Sequence, residues 1–131
     1  LRQSRRGNAI VLDKEDGSLI IAVSAVEDSL ERAVQEQSGV RDVRVRVRVP
    51  PEAEMPAEVV VVCSVQDAQG ILAVEERMRQ ALRRRFQEIL PQRALKVSVR
   101  MRRFLAEAGG KSRRSEVERV TLRPDYPLEG F

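Results

Sequence analysis

The sequence predicts an α+β fold, a two-layer βαββαβ sandwich of the ferredoxin-like split βαβ type, and three observations carry that expectation. The first is the order of the patterns: an apolar run at Leu19–Val23, a helical stripe, an alternating run at Val43–Val49, a second apolar run at Val59–Val65, a second helical stripe, and an alternating run at Leu95–Met101. The second is that Leu19–Val23 and, within Val59–Val65, Val59–Cys63 are continuously apolar, as in strands covered on both faces. The third is that the two alternating runs put valine, leucine or methionine on one side and arginine or lysine on the other, as in half-buried strands. A split βαβ sheet has its first and third strands at the centre and its second and fourth at the edges. The pattern therefore assigns the doubly apolar runs to the centre and the basic ones to the edges.

Taken in order, residues 1–8 read as a flexible basic lead-in with Arg2, Arg5 and Arg6, and residues 9–104 as a single α+β domain. Ala9–Leu12 is apolar and is followed by the turn cluster DKEDG, Asp13–Gly17, so an extra N-terminal hairpin strand pairing residues 9–12 with 19–23 is one expectation. That hairpin competes for space with the fourth strand, and the sequence leaves the two pairings open. The acids of the turn lack the ligand spacing of a calcium loop.

Ser24 and Glu27 form an S-x-x-E capping box at the start of a helix expected over about Ala25–Ser38. Val26, Leu30, Ala33 and Val34 make its apolar stripe, and Gly39 stands where a left-handed residue would end it. In the next strand Val43, Val45, Val47 and Val49 alternate with Arg44, Arg46 and Arg48. Pro50–Glu58 reads as a loop, and Val59–Val65 places Cys63 in the core as an inert thiol. A second helix is expected from near Asp67 to about Leu90, with Ile71, Val74, Met78, Leu82, Phe86 and Ile89 on its buried face, a basic outer face, and Pro91 as its stop. Residues 105–131 read as a linker and tail; the AGGKS within them lacks the first glycine and the preceding strand of a phosphate-binding loop.

Composition narrows the function classes. The chain has 131 residues, 24 Lys and Arg against 20 Asp and Glu, no histidine and one cysteine. The absence of histidine removes every His-containing triad and the commonest metal ligand. No metal or cofactor is expected, and a lone cysteine suits a reducing compartment. No apolar run approaches the length of a membrane span, although a membrane segment ahead of Leu1 stays open. Glu75 and Glu76 are adjacent on a helix and point different ways, and no other carboxylate pair is placed for acid–base work, so the chain is read as a non-enzyme with no catalytic residues.

What remains is a surface. Helices on one side of the sheet leave the other with an apolar centre rimmed by Arg44, Arg46, Arg48, Lys96 and Arg100, and such a face marks an interaction site. The face is expected to be closed by a second copy, a partner or the chain's own tail, and a protein partner is the first expectation. Nucleic acid tracked by the same five cations is the alternative, weakened because no aromatic residue falls on the face to stack bases.

The stretch GSLIIAVSAVEDSLERAVQEQSGVRDVRVRV, with Gly17, Ser24, Gly39 and Val40, followed by VVVVCSV and LKVSVRM, resembles the bacterial alkaline-shock protein family over about Gly17 to Phe104, nearer its membrane-anchor branch. The resemblance implies a non-enzymatic scaffold domain linked to envelope or alkaline stress. It further implies a cytoplasmic location, on the inner face of the cell membrane if the whole protein is anchored, and self or another family member as partner. The Arg-rich strand, the proline-rich loop and the basic second helix are heavier than that family's pattern.

Overall fold

The computed structural model describes residues 9–106, so the expectations for residues 1–8 and for most of the tail, including AGGKS, lie outside the described residues. Over the described residues the fold is mixed α+β, as the patterns require: a two-stranded hairpin, a three-stranded sheet and two helices.

The turn cluster does form the hairpin. β1 (Ala9–Lys14) pairs antiparallel with β2 (Gly17–Ala22), Lys14 opposite Gly17 and Ile10 opposite Ile21. The second sheet has β4 (Ala57–Val65) at its centre, antiparallel to β3 (Val40–Arg48) on one side and parallel to β5 (Leu95–Phe104) on the other. The basic alternating strands are thus its edges and VVVVCSV its centre, as expected.

The other expected central strand is corrected. Leu19–Ala22 is not hydrogen-bonded into the main sheet; β4 and β5 pair directly, Val59 opposite Val97 and Val61 opposite Val99, which leaves no slot between them. Nor is β2 covered on both faces, since Leu19 is 46% and Ile20 64% exposed. The physical reason is local. The two residues Glu15 and Asp16 close the β1–β2 turn, and so short a loop is cheap in entropy beside a long-range insertion between distant strands.

α1 (Val23–Gln35) starts directly after β2 and ends earlier than expected, and its stripe of Val23, Val26, Leu30, Ala33 and Val34 is buried. The expected capping box is absent: Ala22 is the cap residue and no side chain caps it. Glu27 is engaged elsewhere, accepting a hydrogen bond at Oε2 from the Val47 amide at 2.9 Å. Gly39 does take a left-handed φ of +83°, in the turn that delivers the chain to β3. α2 (Ile71–Ile89) buries Met78, Leu82 and Phe86. These three, with Leu30, Val26 and Val34 of α1 and Val59, Val61 and Cys63 of β4, are among the most deeply buried side chains of the core.

Candidate functional site

Register decides which side chains share a face. Arg44 lies opposite Val62 and Val62 opposite Arg100; Arg46 lies opposite Val60 and Val60 opposite Ser98; Arg48 lies opposite Glu58 and Glu58 opposite Lys96. Directly paired residues project to the same side of a sheet. The outer face is therefore three rows across three strands, and it gathers all five residues singled out from the sequence: Arg44, Arg46, Arg48, Lys96 and Arg100. The intervening positions, Val45, Val47, Val59, Val61 and Val97, are buried on the helix side.

Electrostatically this face holds those five cations and, among the described residues of its three rows, one carboxylate, Glu58. Glu58 meets Arg48 at 3.3 Å, with both side chains largely exposed, so the pair is weak in solvent. Among the described residues Arg44, Arg46 and Lys96 form no ion pair. Between the charged columns, Val60 and Val62 are half-buried, an aliphatic centre framed by basic side chains. β5 also runs past its expected end, and Arg102 and Arg103 are exposed where its register with β4 shifts. Sequence reading missed both; the signal was the apolar Phe104 beyond them, which extends the strand.

The basic residues of α2 behave differently. Arg79 pairs with Glu75 at 2.9 Å and donates to the Val97 carbonyl at 2.9 Å. Arg85 donates to the carbonyl and hydroxyl oxygens of Ser29, at 3.0 and 3.1 Å, and lies 3.7 Å from Glu88. These arginines fasten α2 to α1 and β5 rather than forming an open anion track, while Arg83 and Arg84 remain exposed.

Helix side chains also guard the outer strands. Glu31 accepts from the Val45 amide at 3.0 Å and Glu27 from the Val47 amide, so carboxylates one helical turn apart on α1 occupy donors of β3. At one end of the molecule Arg93 donates to the carbonyls of Pro50, Glu52 and Met55 at 2.6, 2.9 and 2.9 Å, pinning the proline-rich loop. Beside it lies an apolar groove of about 270 Å³ lined by Ile10, Leu12, Val49, Pro50 and Leu90.

Cys63 is buried, and desolvation pushes its thiol from 9.0 up to about 11, which removes it as a nucleophile at neutral pH. Among the described residues no group of three or more His, Cys, Asp or Glu is placed to hold a metal ion, and no helix is long and apolar enough to cross a membrane.

No protein-family model and no curated protein matches the chain. Among solved structures, one from Aquifex aeolicus VF5, described as a hypothetical protein, is similar at 12% identity and a TM-score of 0.38, over 79% of this chain and 93% of that one.

Proposed function

We propose that this chain is a non-enzymatic protein-interaction domain, a scaffold module of the alkaline-shock type acting in envelope or alkaline stress on the cytoplasmic side of the membrane, and that its outer sheet face docks an acidic surface of a protein partner. One observation carries the reading: Arg44, Arg46, Arg48, Lys96 and Arg100 share one face, with Glu58 as its one carboxylate among the described residues, and surround the half-buried Val60 and Val62. Cations around an aliphatic centre suit a protein surface with acidic residues around an apolar patch. Nucleic acid is the weaker partner, because Phe86 is in the core and the three rows of the face contain no aromatic side chain.

The test is affinity capture from native lysate by the wild-type chain and by Arg44→Glu/Arg46→Glu, with and without nuclease, at low and moderate salt. A protein retained after nuclease treatment and lost on charge reversal supports the reading. Loss of all bound material on nuclease treatment, or retention of the same protein by the charge-reversed chain, overturns it.

A further inference from the structure

The hairpin carries a second surface, unrelated to the basic face. β2 is GSLIIA, six residues without a charge or a proline, and among the described residues it pairs on one side only. Its Leu19 and Ile20 are exposed large apolar side chains, whereas Ile10, Leu12 and Ile21 of the same hairpin pack on the core. An isolated two-stranded hairpin is marginal in water, and an open, uncharged, apolar edge invites another strand. The contrast within the molecule is instructive. Glu27 and Glu31 engage amides of β3, and Arg79 engages a carbonyl of β5, whereas among the described residues no such side-chain contact is made to the backbone of β2.

We infer that β2 is the edge through which two copies of this chain pair, antiparallel about a two-fold axis at Ile20, joining two hairpins into one four-stranded sheet. Charge selects a second copy as the occupant. The basic faces of two copies repel each other, so self-association falls to an uncharged surface, and β2 is uncharged. Antiparallel pairing about Ile20 sets Ile20 against Ile20 and Leu19 against Ile21, burying the exposed apolar atoms on both sides of the axis. It also brings the acidic turn, Glu15 and Asp16, of each copy to the first turn of α1 in the other. That helix start has neither a side-chain cap nor an acidic residue in its first turn, so its positive end is open to the carboxylates a second copy delivers.

Sedimentation equilibrium of the full chain tests this. The wild type is expected to dimerise with concentration. Ile20→Lys and Ile20→Glu each weaken the dimer by about tenfold or more, because like charges meet at the axis. An equimolar mixture of the two recovers it, since Lys then faces Glu. A smaller loss is expected for Asp16→Lys. A wild type that stays monomeric at its highest soluble concentration, an Ile20→Lys chain that dimerises as wild type does, or folded variants whose mixture stays monomeric overturns the inference. If a variant fails to fold, amide exchange of wild-type Ser18–Ala22 decides instead: protection that rises with concentration supports pairing, and protection that does not overturns it. Arg44→Glu/Arg46→Glu is expected to leave the dimer intact, so failure here and failure of partner capture are separate results.

Discussion

β4 contains VVVVC and lies between two strands, while β2 contains LII and, among the described residues, has a strand on one side only. In β4 the residues on one face, Val59, Val61 and Cys63, are almost wholly buried beneath two helices, and those on the other, Val60 and Val62, are half-covered. In β2, only Ile21 reaches the core. Similar side chains thus do different work: in β4 they supply stability to the single chain, and in β2 they offer contact area to something outside it. The difference lies in the neighbours, because burial depends on what stands opposite a residue more than on the residue itself.

That comparison is open to direct attack. Phe86→Ala, which empties the largest buried side chain of the core, is expected to lower the free energy of unfolding by about 4 kcal/mol in denaturant titration. Val61→Ala, in the fully buried row of β4, is expected to cost about 2 kcal/mol. Cys63 in the next position gives a pH signature. Its thiol is raised from 9.0 to about 11 in the folded chain, so folding favours the protonated form. Stability from this group is intact below pH 9 and falls as pH rises towards 11. Unfolding titrations across that range should show the decline in wild type and a flatter profile in Cys63→Ala.

Glu27→Ala leaves the Val47 amide without its acceptor and is expected to cost about 1 kcal/mol, with faster amide exchange at Val47 as the local readout. The smallest effect belongs to β2: Ile20→Ala in dilute solution should change stability by less than about 0.5 kcal/mol. If Ile20→Ala and Val61→Ala cost the same at low concentration, the contrast between the two strands is wrong.

The sequence made most of the fold legible where a period could be counted. Alternation in Val43–Val49 and Leu95–Met101 identified two edge strands and the face that each arginine or lysine occupies, because a strand period of two fixes sidedness without any knowledge of the partner. The five residues of the candidate surface come together for that reason. A continuous apolar run has no such phase. Leu19–Val23 and Val59–Val65 looked alike, and only pairing separates them. The capping box failed for a related reason. Ser24 and Glu27 have the right spacing, but the helix begins at Val23, and the Glu27 carboxylate serves a β3 amide that no local pattern announces. The same is true of Arg93, whose contacts reach back across about forty residues of chain to three carbonyls of the proline-rich loop.

The direct parallel pairing of β4 with β5 also has a meaning in time. The β1–β2 and β3–β4 pairings join strands that are neighbours in the chain, through short connections, and such hairpins close within microseconds. β5 reaches β4 only after the whole of α2 has been laid down and turned back, so its loop-closure cost comes before any contact repays it. Folding is then expected to finish at β5. Until it docks, one side of β4 is an unpaired valine edge, the same kind of surface that the finished molecule presents at β2.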